Sequence, residues 1–336
     1  MKRLFIVYNP RSSRFLDVKK EVLDKTKNLK GYMVGKYEVE PTDVDENAKN
    51  LAKILKDGDL VLSAGGDATA SISANGILRS NKDVTLAVLP YGNFNDLART
   101  LGAKKFEDLF IDAQDKQLET IPDQRGGERA SEPRNDGRER SASRVVCPSV
   151  SELFPLEIHV DGKFFRYATC YVTIGMTAEA CELFDEPKFR KSMQKGHKSS
   201  WRSYLALVKW YFKNRHKKQF IPDFKLNGKL QHKKTSDYAA VSGKSMCRVM
   251  KGGEDYHDPI VFRSMTDRLT NFWRLFKLMV KSILIRTPGT ETEGDKLEFL
   301  KPSTVELQAE GEYRTFENIK TIEIKKGKKC LKVIEI

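Results

Sequence analysis

The sequence predicts an α/β protein of two domains. An N-terminal, doubly wound, mostly parallel sheet comes first, and a β-rich, sandwich-like domain follows, with a nucleotide cleft between them. Three observations carry this expectation. Over the first 121 of 336 residues, short apolar runs alternate with segments of helical period. Three of those runs end in loops rich in Gly, Asn, Pro and Ser, each opening onto a helical segment. From residue 154 onward the texture is mostly β, interrupted by two helical segments.

Taken in order, the apolar run 4–8 predicts a first strand. A helix near 15–29 follows, with Phe15, Val18, Val22 and Leu23 on one face. A strand near 37–40 precedes a helix near 44–56, where Ala48, Leu51, Ala52 and Leu55 recur at helical spacing. Strand 60–63, helix 69–79, strand 85–89 and helix 94–101 complete the alternation. Residues 122–150 contain almost nothing apolar and predict a disordered insert. Beyond it, strands are expected near 164–174, 237–243, 258–263, 303–310 and 320–325, and helices near 200–215 and 267–285. The expected division is 1–121 for the α/β domain, 122–150 for the insert and 151–309 for the β-rich domain.

Composition narrows the function. The formal charge of +14 implies an anionic partner. The five cysteines, Cys147, Cys170, Cys181, Cys247 and Cys330, are scattered without C-x-x-C spacing, which argues against structural zinc and a disulfide framework and for a reduced cytoplasm. The N-terminal apolar run is too short for a signal peptide, and no run approaches the length a membrane span needs. A nucleic-acid ligand is not expected, because no recognised nucleic-acid motif is present. Cytoplasmic, peripherally membrane-associated protein is the expectation, with a homodimer left open.

The three loops carry the chemistry. They read Asn9-Pro10-Arg11-Ser12-Ser13, Gly65-Gly66-Asp67-Ala68-Thr69 and Gly92-Asn93-Phe94-Asn95-Asp96. Glycines let a backbone approach a polyphosphate, and helix N-termini favour anions. Asp67 cannot favour bare phosphate, so it acts through Mg²⁺ or its water shell, or else is a turn former and N-cap. Thr69 can cap its helix or bind phosphate. Asn93, Asn95 and Asp96 also suit an N-cap cluster.

In order and spacing, these loops resemble the diacylglycerol kinase catalytic family. That family carries Asn-Pro-x-Ser-Gly, Gly-Gly-Asp-Gly-Thr and Gly-Thr-x-Asn-Asp-x-Ala-Arg. A weaker likeness extends to Glu310-Gly311-Glu312-Tyr313 near the C-terminus. NAD kinases share the Gly-Gly-Asp loop, but Asn95-Asp96-Leu97-Ala98-Arg99 points to the lipid branch. The resemblance implies ATP and Mg²⁺ as cofactors, a lipid hydroxyl as acceptor, and return of the segment 310–336 to the first domain. It implies nucleotide contacts at Asn9, Pro10, Ser12, Ser13, Thr42, Gly65, Gly66, Asp67, Thr69, Gly92, Asn93, Asn95 and Asp96. It makes Glu310 the base, with Asp67 also catalytic, and gives Glu312 and Asp267 to metal. Glu310 and Glu312 alone read as an acidic hairpin turn, and Asp267 equally as a helix cap. Departures from the pattern are Ser13 and Ala68 for Gly, Ser71-Ile72 for Asn-Glu, and Arg268 after Asp267. They leave open a catalytically weak nucleotide- and lipid-binding protein, or a polyprenol or sphingoid acceptor in place of diacylglycerol.

An anionic membrane surface is the expected second partner. Lys188 to Pro222 holds eleven Lys and Arg and no Asp or Glu, with Trp201, Tyr204, Trp210, Tyr211 and Phe212 interleaved. A second stripe, Leu269, Phe272, Trp273, Phe276, Met279, Val280 and Ile283, is expected to pack on the β-rich domain, with Arg274, Lys277 and Lys281 on its solvated side.

Overall fold

The computed structural model describes residues 2–12, 14–27, 29–92, 94–103, 105–109, 149–185, 208–214, 220–246, 250–251, 261–267, 273–274, 276–277, 280–281 and 288–336. In chain order the N-terminal half runs β1 (Lys2–Tyr8), α1 (Phe15–Val18), a π-helical turn (Lys19–Leu23), α2 (Asp24–Thr26), β2 (Tyr32–Glu38), α3 (Val44–Ile54), β3 (Leu60–Gly65), α4 (Asp67–Ser80), β4 (Thr85–Pro90) and α5 (Asp96–Thr100). After a 3₁₀ turn (Phe106–Leu109) come β5 (Ser149–Leu153), β6 (Leu156–Val160), β7 (Lys163–Ala168), β8 (Tyr171–Gly175) and α6 (Met176–Asp185). Then follow β9 (Phe224–Leu226), β10 (Lys229–Leu230), β11 (Thr235–Val241), β12 (Ser245–Met246), β13 (Met250–Lys251), β14 (Val261–Asp267) and β15 (Thr290–Thr292). The chain closes with β16 (Gly294–Ala309), β17 (Glu312–Lys326) and β18 (Leu331–Glu335).

The first sheet has the order β2-β1-β3-β4-β18-β5 and is parallel except at the β18–β5 edge. Its central strands β1, β3 and β4 are apolar on both faces, as helix-covered parallel strands must be. Leu4 and Ile6 pack with Val18 and Val22 on one side, while Val7, Val61 and Leu86 pack with Leu51 and Ile77 on the other. That second core runs on into the β-rich domain through Tyr167, Tyr171 and Val241, so the domains share apolar packing.

The second sheet is one continuous surface with the order β15-β14-β11-β8-β16-β17-β6-β7, and β9 pairs on β16. Register breaks at Glu298/Ser303 and Ser303/Val305 interrupt the long β16–β17 hairpin, and such irregularities bend a strand pair. The domain is therefore sandwich-like through one ten-stranded sheet around a single core that includes Leu156, Ile174, Phe224, Tyr238 and Leu307.

Several expectations shift. The helix near 15–29 is broken by the π turn, and the Thr26 hydroxyl donates to the carbonyls of Val22 and Leu23 there, competing with backbone bonds. β2 begins at Tyr32, five residues before the expected 37. It is a sheet-edge strand, and its Gly35 leaves room for the Phe5 ring, so it lacks a continuous apolar run. The boundary expected at 150/151 falls inside β5, which belongs to the first sheet. Of the segment 310–336, only β18 joins that sheet, while β17 stays in the second. Most of the expected insert, residues 122–148, lies outside the described residues.

The run 164–174 divides into β7 and β8 at Thr169-Cys170. Asp267 is the last residue of β14, and residues 268–272 lie outside the described residues. The helical residues Trp273, Phe276 and Val280 do not pack inward; they are 64%, 46% and 36% exposed.

Candidate active site

The ends of β1, β2, β3 and β4 lie along one edge of the parallel sheet, so the loops that follow them meet there. After β3, Gly66 is the N-cap of α4 and Asp67 its first residue. The Asp67 side chain does not cap its own helix. Its two oxygens accept the backbone N–H groups of Asn95 (3.0 Å) and Asp96 (2.7 Å), so it caps α5 across the cleft floor. Asn95 closes the third loop on itself: its Oδ1 accepts Gly92 N–H (2.6 Å) and its Nδ2 donates to Gly92 C=O (2.8 Å). It does so from a left-handed backbone, φ +53°, which Asn tolerates better than most residues.

The second and third loops touch backbone to backbone. Tyr91 N–H donates to Gly65 C=O (2.9 Å), and a Cβ added to Gly92 would sit 2.3 Å from Gly66 Cα. Only glycine fits this contact. A Cβ on Gly65 would meet the Thr69 hydroxyl at 2.4 Å, so buried Thr69 packs under its own loop. Ala68 lies within α4 and has no positive φ, so Ala in place of Gly costs no strain there. Ile72 belongs to the core.

The first loop is an Asx turn in which Asn9 Oδ1 accepts Arg11 N–H (2.9 Å) and Ser12 N–H donates to Asn9 C=O (3.1 Å), with Pro10 between. Arg14 ties it to the third loop by donating to Pro90 C=O (3.2 Å). Thr42, after β2, is held by buried Asn47, whose Nδ2 donates to its hydroxyl (2.9 Å). Ser13 and Asn93 lie outside the described residues.

The opposite wall comes from the β16–β17 hairpin. Glu310 and Gly311 form its two-residue turn, both at positive φ (+53° and +88°), the pattern of a type I′ turn. Asn, Asp or Gly is usual at the first position. A glutamate there costs on the order of 1 kcal/mol or more. The turn holds the Glu310 carboxyl inward, 4% exposed. Its Oε1 accepts from Thr169 N–H, the Thr169 hydroxyl and Cys170 N–H (2.7 Å), while its Oε2 is buried with no protein donor. Thr169 and Cys170 were not legible as site residues, because their sequence reads as unbroken strand. The chain leaves the ladder there and turns those N–H groups to Glu310.

Asp67, Asp96 and Glu310 line one narrow pocket with Thr169, Cys170 and Tyr171, floored by Ala70 and Leu97. Burial raises the Glu310 pKa to about 7, against the three hydrogen bonds that favour its charge, and the Asp67 carboxylate adds to the rise. Burial and the neighbouring Asp96 push Asp67 upward too. Asp96 is held by Arg99. The Cys170 thiol is pushed up by burial and by these carboxylates, so it is a poor nucleophile.

The two residues expected to bind metal are not brought together. Glu312 opens β17, beside Glu310. Asp267 pairs with Thr235 and lies six residues along β11 from Val241, the neighbour of Tyr171. That is about 20 Å at strand spacing. It is 58% exposed at its side chain and pairs with Lys233 at 3.5 Å. No group of three or more His, Cys, Asp or Glu able to hold a metal occurs among the described residues. Among the described residues there is therefore no complete protein cage for Mg²⁺.

Known proteins resemble this chain in sequence over its N-terminal third and in fold over its full length. The diacylglycerol kinase catalytic domain matches residues 3–122. Diacylglycerol kinase of Bacillus subtilis is 38% identical over 112 residues, covering 32% of this chain and 36% of that protein. The Staphylococcus carnosus enzyme is 31% identical over 102 residues, covering 30% and 33%. The match thus spans about a third of each relative's length. Across the whole chain, a crystal structure of a diacylglycerol kinase from Bacillus anthracis superposes with a TM-score of 0.58 at 15% identity, covering 97% of that chain. Residues 3–122 therefore match the diacylglycerol kinase catalytic domain, and the full chain shares its fold with a solved structure named as such a kinase.

Proposed function

We propose that this protein is a lipid kinase that transfers the γ-phosphate of ATP to a lipid hydroxyl, with diacylglycerol the first-choice acceptor and phosphatidate the product. The observation that carries this reading is the free Oε2 of Glu310, buried in the pocket that Asp67 and Asp96 also line. Phosphoryl transfer is mostly positioning and charge stabilisation. The backbone of Gly65, Gly66 and Gly92 and the start of α4 suit the phosphates. Asp67 does not reach for phosphate; it holds the second and third loops in register. Oε2 of Glu310 takes the hydroxyl proton while Oε1 stays fixed by its three donors. Mg²⁺ would enter with the nucleotide, keep several waters and neutralise phosphate charge, and Asp67 and Asp96 are the loop carboxylates that would hold its water shell. Transfer of label from ATP into a panel of lipids in mixed micelles tests the reading. Label in diacylglycerol is expected; label in no lipid would refute it, and label only in a polyprenol or sphingoid base would reassign the acceptor.

The acceptor lies in a bilayer, so the kinase must meet one. No helix among the described residues is long and apolar enough to cross a membrane. Peripheral contact on the cytoplasmic side is proposed. The basic, aromatic segment Lys188–Lys218 lies mostly outside the described residues, including Lys191, Lys195, Lys198 and Arg202. Trp273, Phe276 and Val280 supply an exposed apolar stripe, flanked by exposed Arg274, Lys277 and Lys281. This pattern suits an anionic interface. Trp273→Ala with Phe276→Ala should weaken co-sedimentation with anionic vesicles severalfold and spare ATP affinity. Unchanged co-sedimentation would place the membrane surface elsewhere.

A further inference from the structure

Outside the pocket, three arginines from three elements converge on one carboxylate. Arg79 ends α4, Arg166 lies in β7, and Arg314 lies in β17. Arg166 Nη2 is 2.6 Å and Arg79 Nη2 2.9 Å from the two oxygens of Asp45, and Arg314 Nη1 stands 3.6 Å off. Asp43 is the other acid at hand, 3.9 Å from Arg314, but its Oδ1 already accepts Glu46 N–H at the start of α3. Three permanent positive charges therefore face two carboxylates, and the N-terminal end of α3 adds partial positive charge.

The donors are only partly spent, although Arg79 Nη2 also donates to the Phe165 carbonyl (3.2 Å). Arg166 is 4% exposed, yet its Nε has no protein acceptor, and neither does the buried Nε of Arg79. Arg314 is 47% exposed at its side chain, and its two ion-pair contacts, at 3.6 and 3.9 Å, are long. Arg166 and Arg314 both lie against the Phe165 ring, at 4.7 and 5.5 Å, which orients their guanidinium groups while leaving N–H donors available. Excess charge, unpaired buried donors and one loosely held arginine together describe a built anion site.

We propose that Arg79, Arg166 and Arg314 form a second anion site, for a phosphate group, where β7 and β17 meet the start of α3. Guanidinium forks match phosphate oxygens. The site is separate from the reaction centre: Arg166 is three residues from Thr169, and Arg314 four from Glu310, or about 10–13 Å along the strands. Its ligand would join the nucleotide domain to the hairpin that bears Glu310. The phosphate could belong to a lipid headgroup or a soluble phosphomonoester.

The test uses the full chain and inorganic phosphate at constant ionic strength. Arg314→Gln should weaken phosphate stabilisation of the fold at least about tenfold in half-saturating concentration, with Arg314→Lys retaining part of it. Crystals soaked in tungstate should show an anomalous peak within hydrogen-bond reach of Arg314, apart from any peak at Gly65-Gly66. Wild-type phosphate affinity in Arg314→Gln, or tungstate at the glycine loops alone, would overturn the proposal. Vesicles with and without phosphatidate separate the sources. Loss of phosphatidate-dependent binding in Arg314→Gln assigns the headgroup, and retained vesicle binding with lost phosphate binding assigns the soluble ligand. None of these readouts depends on kinase activity, so failure of the kinase reading would leave the test standing.

Discussion

Glu310→Gln is expected to lower kcat by about 10²–10⁴-fold, the usual contribution of a general base, with ATP affinity little changed. A variant that loses ATP affinity but keeps its turnover would make Glu310 a nucleotide residue instead. The wild-type pH profile should agree. The base acts when deprotonated, so kcat should rise with pH through an apparent pKa near the value of about 7 that burial imposes on Glu310, well above an ordinary glutamate. Stability should move the other way. A carboxyl whose folded pKa is raised binds more protons folded than unfolded between about 4.5 and 7, so folding free energy is lost as pH climbs through that window. Gln keeps an acceptor for Thr169 and Cys170 without the buried charge. The inactive variant should therefore melt above wild type at pH 8, by about 1–3 kcal/mol in stability, and the difference should vanish toward pH 4. A lower melting temperature at pH 8 would show that the three hydrogen bonds outweigh burial.

Asp67→Asn is expected to cut phosphoryl transfer by about 10²-fold or more in a protein that remains folded. Asp67 accepts two backbone N–H groups from the neighbouring loop, and Asn offers one acceptor and one donor in their place. One N–H would then face an N–H, and the loop bearing Gly92 should shift against Gly66. Losing the Asp67 charge also removes one cause of the raised Glu310 pKa, so the acid limb of residual activity should move to lower pH. Wild-type kcat/KM at wild-type Tm would remove Asp67 from the site.

Sequence by itself determined the first domain. Buried parallel strands need continuous apolar runs, and Leu4–Tyr8, Leu60–Leu62 and Thr85–Leu89 have them, so their positions and the loops at their ends were legible. The loop residues were legible as a set for the same reason: loops at the carboxyl ends of neighbouring parallel strands must meet. What each residue does there was not. Asp67 reads locally as a cap for its own helix, and only the approach of the Asn95-Asp96 backbone makes it the brace between loops. Glu310 reads as an exposed acidic turn, and only packing against Thr169 and Cys170 buries it and raises its pKa.

The same holds for Asp45, Arg79, Arg166 and Arg314. They are spread over 270 positions as ordinary surface charges, and the fold alone brings them together. Tertiary structure decided these points because pKa, burial and hydrogen-bond satisfaction depend on what arrives from distant strands. Local periodicity and turn chemistry encode the elements and their ends, and carry no record of which ends will face each other.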